Sequence, residues 1–241
     1  MNLQRRRITP GITRAVVPLA TCVVAGLTAV SCASPDGGRP TTGPATTPVA
    51  PVAITDAAVQ IAATGCGPVE VHGAGLMVAD GKIATVAHVV AGAKTIEVRG
   101  AHGKLNATVV FFDPVLDLAV LKVDAGFAPV IPIGSANAGD SGSVVVYRDD
   151  APVVLPASVQ RPVNIRTADI YGQDKHIRPG FELNLKIQAG DSGAVVVMNG
   201  RAVALVWATS HSVTGRAWAM RASLLQGHTS ADTMVANGDC V

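Results

Sequence analysis

The chain has 241 residues, of which 49% are apolar, 15% are charged and only 3% are aromatic. This composition supplies a core of small aliphatic side chains and excludes an intrinsically disordered protein. The formal charge is +2, but four of the 19 basic residues precede residue 32, where no acidic residue occurs. The remainder holds 15 basic and 17 acidic residues. Because no basic run could follow a phosphate backbone, we expect no nucleic-acid partner.

The first 32 residues have the order of a bacterial export signal. The basic run QRRR is followed by an apolar stretch over 15–30, which is short for a membrane span. The segment Ala29-Val30-Ser31-Cys32 resembles a lipoprotein cleavage box, in which Cys32 becomes lipidated; ordinary cleavage near Ala33 is the alternative. We therefore predict an exported protein, in the cell envelope or outside the cell, anchored to the membrane by a lipid on Cys32.

A tether over 33–52 is predicted next, because proline, threonine and glycine dominate there and cannot form a core. The composition becomes globular over 53–241. Two of the four cysteines, Cys66 and Cys240, lie in this globular part. An oxidising compartment favours a disulfide between them, with two unpaired buried thiols as the alternative. No spacing resembles a zinc site, so no metal is expected.

Short apolar runs separated by turn residues indicate an all-β domain. Six runs precede residue 127: AAVQIAA, GAGLMVAD, KIATVAHVV, KTIEVRG, LNATVVFF and LAVLKV. Six follow it: SVVVYRD, VVLPASVQ, ADIYGQ, FELNLKI, AVVVMNG and AVALVWAT. Asp80-Gly81 and Asn199-Gly200 are strong hairpin signals, and RASLLQG suggests one short helix. We expect two packed β-barrels, with the crossing between them near 129–136.

Three residues suggest nucleophilic catalysis when they are considered together. Ser192 lies in AGDSG, where Gly190 permits a turn that can aim successive N–H groups at one point. A serine hydroxyl needs a histidine base, and that base needs an acid to orient it. His88 ends an apolar strand, and Asp117 begins another and requires a buried partner. Singly, each also fits an ordinary structural role: a space-filling histidine, a turn aspartate and a plain β-turn.

Four segments carry a resemblance to chymotrypsin-like (trypsin-like) serine proteases, especially the bacterial HtrA-type branch. GAGLMVADGKIATVAHVV resembles that family's first-barrel signature, and DLAVLKV resembles its acid-bearing segment. IQAGDSG is similar to its nucleophile turn, and GRAWAM to the strand that borders its substrate cleft. The resemblance covers residues 55–225. It implies two six-stranded antiparallel β-barrels with the active site between them.

The resemblance also implies residue roles. His88 is the general base and then the general acid, Asp117 orients it, and Ser192 is the nucleophile. The backbone N–H groups of Gly190 and Ser192 bind the oxyanion. The implied activity is that of a serine endopeptidase, which cleaves proteins or peptides through an acyl-enzyme intermediate and needs no cofactor.

A second AGDSG, at 138–142, raises the question of which serine is the nucleophile. Ser141 follows Asp117 too closely for most of a second barrel to intervene, and its surroundings resemble the entry into that barrel. We therefore expect Ser141 to be non-catalytic. For the substrate pocket, Lys186 lies either at its floor or in solvent. Trp207 lines either the cleft or the core.

Departures from the family pattern leave a second hypothesis open. Ala194-Val195 follows the nucleophile turn where the family usually has Gly-Pro or a similar small pair. This departure keeps open a catalytically weak or silent module that binds a protein partner, although the intact triad argues against it. Asp191 is expected to pair with a basic side chain, Lys186 or Arg178. Since no PDZ-like segment follows, we expect a monomer. A lipase-type esterase is excluded, because its nucleophile elbow requires a helix after the serine.

Overall fold

The computed structural model describes residues 54–124, 129–210 and 212–241. The predicted export signal, the lipidation site Cys32 and the tether over 33–52 lie outside the described residues. Within the described ranges, no helix has both the length and the apolar character needed to cross a membrane.

The first half is an antiparallel sheet preceded by the short helix α1 (Ile54–Ala57). Its seven strands have the spatial order β5-β4-β1-β2-β3-β7-β6. They are β1 (Ala58–Thr64), β2 (Val71–Ala79), β3 (Lys82–Thr85), β4 (Thr95–Gly100), β5 (Gly103–Asn106), β6 (Thr108–Asp113) and β7 (Leu118–Lys122). A second short helix, α2 (Ala87–Val90), follows β3 directly.

The second half is a closed six-stranded barrel with the order β10-β13-β12-β11-β8-β9. Its strands are β8 (Ser141–Arg148), β9 (Ala151–Ala168), β10 (Lys175–Asn184), β11 (Val195–Met198), β12 (Arg201–Thr209) and β13 (Arg216–Arg221). One turn of 3-10 helix, Ala222–Leu225, follows β13 and is the short helix that the sequence suggests. The all-β prediction with two curled sheets is confirmed.

Two strand predictions are wrong in detail. The run LNATVVFF is divided at Ala107, whose N–H donates to Ile96 O at 2.9 Å, so the first half has seven strands rather than six. The run ADIYGQ is mostly a turn, because the Asp169 carboxylate accepts the N–H groups of Tyr171 and Gln173 in place of a strand partner. The sixth strand of the barrel is instead β13, the segment expected to border the cleft.

The hairpin signals are confirmed at both predicted positions. Asn199 and Gly200, between β11 and β12, have φ values of 52° and 70°. Two consecutive positive φ values are typical of a type I′ turn, which Asn-Gly favours. Asp80-Gly81 joins β2 to β3, with Gly81 at φ 59°.

The aliphatic core continues across the two halves. One cluster of buried side chains contains Leu76 and Leu121 of the first sheet together with Leu205 and Met220 of the barrel. A polar contact also crosses the boundary: the Tyr147 hydroxyl donates to Ala58 O at 2.9 Å. Burial raises the pKa of Tyr147 to about 12. The two halves therefore share one packed interface.

The C-terminal tail returns from the barrel to the first sheet. The Asn237 side-chain amide donates to the carbonyl oxygens of Val90, the last residue of α2, and of Ala93, at 2.7 and 3.0 Å. Cys240 then forms the predicted disulfide with Cys66, which confirms that pairing. The tail and its disulfide thus fasten the segment that follows α2.

We predict that the Cys66→Ala/Cys240→Ala variant is less stable than the parent chain by about 5 kcal/mol in the free energy of unfolding. The disulfide joins residues 174 positions apart, and closing so long a loop removes much entropy from the unfolded chain. Denaturant unfolding of both proteins, with and without a thiol reductant, measures the effect. The reductant should destabilise only the parent. Equal midpoints for all four samples would show that the disulfide does not stabilise the fold.

Candidate active site

Asp117 stands at the start of β7 with its backbone in the left-handed region, at φ 58°. Aspartate tolerates this conformation better than most residues. The side chain is only 3% exposed, and its carboxylate points at α2. It accepts the backbone N–H of His88 at 2.9 Å and contacts the ring Nδ1 at 2.9 Å through Oδ2. This carboxylate therefore fixes both the main chain and the side chain of His88.

His88 is the second residue of α2, and its side chain is 29% exposed. Because Nδ1 faces a carboxylate, the neutral ring carries its proton on Nδ1 and its lone pair on Nε2. Nε2 has no hydrogen-bond partner among the described residues. An oriented, partly exposed imidazole with a free Nε2 has the properties of a general base.

Ser192 lies in a tight turn between β10 and β11. Gly190 and Gly193 have φ values of 91° and 84°, which side chains other than glycine rarely adopt. A Cβ atom on Gly193 would collide with Ala74 O and with the Thr85 hydroxyl. The turn therefore packs directly against β2 and β3 of the first sheet.

The turn that holds Ser192 and helix α2 meet at the same point of β2. Ser192 O accepts the N–H of Ala74 at 2.8 Å. A Cβ atom on the neighbouring Gly73 would lie 2.6 Å from the Val89 side chain and 3.0 Å from Ser192 O. Gly73 therefore lies between the residue after His88 and the backbone of Ser192. No hydrogen bond joins Ser192 Oγ to His88 Nε2 in this structure.

The backbone of the turn leaves two amides available. The N–H of Asp191 donates to Gln188 O at 3.1 Å, and that of Gly193 donates to Val206 O at 2.8 Å. The N–H groups of Gly190 and Ser192 have no acceptor among the residues that the structure describes. Two free amides that flank one residue can stabilise a negative oxygen beside the serine.

Asp191 pairs with Arg148, so the expectation of a basic partner is correct but neither Lys186 nor Arg178 is that partner. The Asp191 side chain is 1% exposed, and its two oxygens accept Nη1 and Nη2 of Arg148 at 2.5 and 2.7 Å. Hydrogen bonding to Asp191 raises the pKa of Arg148. The N–H of Gln188 also donates to Asp191 at 2.8 Å. The arginine thereby fixes the loop before Ser192.

Lys186 is exposed in the loop after β10. It lines a cavity of about 410 Å³ together with Ser141, Ser158 and Asn184 among others, but neither Ser192 nor Trp207 belongs to that lining. The structure therefore does not bring the two predicted pocket residues, Lys186 and Trp207, into one cavity.

Trp207 lies at a bulge of β12, between Val206 and Ala208. Its ring faces the guanidinium of Arg178 at 5.4 Å, and Arg178 lies 3.7 Å from the Asp117 carboxylate. Its indole N–H is buried without a hydrogen-bond partner among the described residues. Trp207 therefore contacts the guanidinium that faces Asp117.

Sequence reasoning did not identify Arg148, and it did not connect Arg178 with Asp117. Both pairs join residues more than forty positions apart, so no local spacing reveals them. One signal was available in each case, because a nearly buried carboxylate requires a cation.

The sequence of this chain is similar to those of known peptidases. A model of the trypsin-like peptidase domain matches residues 73–205, more than half of the chain. The serine protease Rv3671c of Mycobacterium tuberculosis H37Rv is 27% identical over 218 residues. That match covers 81% of this chain but only 55% of the relative, so this chain spans about half the length of that protein.

Solved structures of similar proteins have the same fold as this chain. The crystal structure of the Rv3671c protease in its active form superposes with a TM-score of 0.71 at 25% identity, over 78% of this chain and 87% of that one. The HtrA-type protease AlgW, at 21% identity and a TM-score of 0.61 over 71% of this chain and 58% of that one, shares the fold alone. From the extent of the domain match, the chain belongs to the trypsin-like peptidase family.

Proposed function

We propose that this protein is a serine endopeptidase in which His88, Asp117 and Ser192 form the catalytic triad. The observation that carries the proposal is the His88–Asp117 pair, which leaves Nε2 free beside the turn that holds Ser192. An apo serine protease commonly has a long or poorly aligned serine–histidine contact, which shortens when substrate binds. The missing Ser192–His88 hydrogen bond is compatible with this.

In the proposed reaction, Ser192 Oγ attacks the carbonyl carbon of a peptide bond while His88 Nε2 takes the hydroxyl proton. Asp117 stabilises the imidazolium through its contact with Nδ1. The amides of Gly190 and Ser192 bind the negative oxygen of the tetrahedral intermediate. His88 then returns the proton to the leaving amine, which gives an acyl-enzyme, and water hydrolyses that ester by the same steps.

The setting that we propose is the cell envelope. The N-terminal 32 residues have the order of an export signal, and Cys32 stands where a lipoprotein is lipidated. The tether over 33–52 would then hold the protease domain, 53–241, away from the membrane surface. The Cys66–Cys240 disulfide supports this setting, since disulfides persist in oxidising compartments.

We further propose that the nucleophile turn needs no processed N-terminus. A buried aspartate before the serine requires a positive partner, and Arg148 supplies one from within the chain with two hydrogen bonds. The serine turn is thereby fixed once β8 and β11 pair, at Val144 with Val196.

We expect a fluorophosphonate probe to label the parent chain and the Ser141→Ala variant equally, and not to label Ser192→Ala. The probe reacts with a serine that a histidine activates, so the two AGDSG copies serve as matched controls for each other. Mass spectrometry locates the adduct. Peptide cleavage by Ser192→Ala should fall roughly 10⁴-fold or more in kcat/KM. No labelling of the parent under any condition would instead favour a silent binding module.

We expect Arg148→Met to lower the free energy of unfolding by about 3 kcal/mol, because it leaves the buried Asp191 carboxylate without its cation. The rate of fluorophosphonate labelling should fall with it, since the loop before Ser192 loses its anchor. In the double variant Arg148→Met/Asp191→Asn no buried charge remains, so most of the stability should return. Denaturant unfolding measures both. A double variant no more stable than the single one would refute the role of charge pairing.

A further inference from the structure

Arg178 is a buried cation that the proposed mechanism has not used. It lies in β10, paired with Ile165 of β9, and is only 2% exposed. Its Nε donates to Val115 O at 2.7 Å, and its Nη2 donates to Ala168 O at 2.8 Å. The remaining nitrogen, Nη1, lies 3.7 Å from Asp117 Oδ2. The guanidinium is therefore held by two carbonyls and directed at the triad acid.

The charge of this group must be compensated locally, because burying an unpaired cation costs several kcal/mol. Burial lowers the pKa of Arg178, whereas the carboxylates of Asp117, Asp169 and Asp113 raise it. Of these three, Asp117 has the largest effect. The Trp207 ring covers the guanidinium at 5.4 Å.

The hydrogen bond from Arg178 to Val115 O connects the guanidinium to the loop before Asp117. Val115 belongs to the loop that leads from β6 into Asp117, and its own N–H is held by the Asp113 carboxylate at 2.9 Å. Arg178 thus binds the loop that carries the acid through a carbonyl and the acid itself through charge. Since β10 belongs to the barrel, the arginine reaches the acid from the half that carries Ser192.

We propose that Arg178 is a positioning residue of the active site, which acts through Asp117 to set the orientation and proton affinity of His88. The proposal rests on the proposed peptidase function. Asp117 lies between two cations, the imidazolium that forms during catalysis and the permanent guanidinium. The guanidinium and the imidazolium therefore share the negative potential of one carboxylate, whose Oδ2 faces both of them.

Two substitutions separate charge from packing. Arg178→Gln keeps a hydrogen-bond donor but removes the charge, and Arg178→Lys keeps the charge but loses the fork that reaches both carbonyls. Arg161→Met is the matched control, because it removes an arginine of the same hairpin that pairs with a different buried carboxylate, Glu182. All three are compared as full-length chains, and their unfolding midpoints are measured alongside.

The decisive readout is the pH dependence of kcat/KM for peptide cleavage. In Arg178→Gln, the acid limb should move upward by roughly one pH unit, because His88 then binds its proton more tightly. In Arg178→Lys and Arg161→Met, the acid limb should lie at the same pH as in the parent chain. If Arg178→Gln and Arg178→Lys instead lose activity equally at every pH, with no change in the position of the acid limb, then Arg178 only stabilises the fold. That result would refute the proposal.

A second readout does not depend on peptidase activity. The titration of His88, followed by NMR in the Ser192→Ala background, should also move upward by about one pH unit when Arg178→Gln is added. An unchanged titration refutes the inference whatever the enzyme assay gives. A shifted titration in a chain whose parent cleaves no peptide would support the coupling of Arg178 to His88 and refute the proposed function alone.

Discussion

The buried carboxylate of Asp117 is the constraint on which the arrangement of this site depends. A charge that is almost fully removed from water must be compensated by hydrogen bonds and a cation. It obtains two contacts from His88 and one from Arg178, and its own backbone adopts the left-handed region. Three segments, namely α2, the start of β7 and β10, converge on one side chain. The position of His88 therefore follows from the need to compensate the charge of Asp117.

The need to compensate the Asp117 charge also helps to explain how the two halves are held together at this site. The first sheet supplies His88 and Asp117, and the barrel supplies Ser192. Their relative position is fixed by the Ala74–Ser192 backbone hydrogen bond and by Arg178, which reaches from β10 to the acid. The extended β9–β10 hairpin therefore forms part of the barrel and also contacts the first half through Arg178. It carries the Arg178–Asp117 contact from the half that holds Ser192 to the half that holds His88.

What could be predicted from the sequence was local, and what could not was long-range. Alternating apolar runs and the Asp-Gly and Asn-Gly turns were sufficient for the all-β architecture. The run LNATVVFF was misjudged because its division at Ala107 depends on a hydrogen bond to Ile96 in another strand. The same limit applies to Asp191: a basic partner was predicted, but that partner is Arg148, because β8 lies beside β11. Such partners are determined by which strands pair. The order of strands in a sheet cannot be read from the spacing of residues within one segment.

The two copies of AGDSG show this limit most directly. Both form the same turn, since Gly139 and Gly190 have φ values of 88° and 91°, and each aspartate accepts the N–H of the residue three positions earlier at 2.8 Å. They differ in their tertiary contacts. The N–H of Gly139 donates to Val159 O, and the chain then enters β8. The N–H of Gly190 has no acceptor among the described residues, and its turn is anchored by Arg148 instead. The identical sequences therefore share a conformation only as far as the aspartate. After it, Ser141 begins β8, whereas Ser192 stays in a turn and Gly193 has φ 84°, so the surrounding strands determine the conformation at each serine.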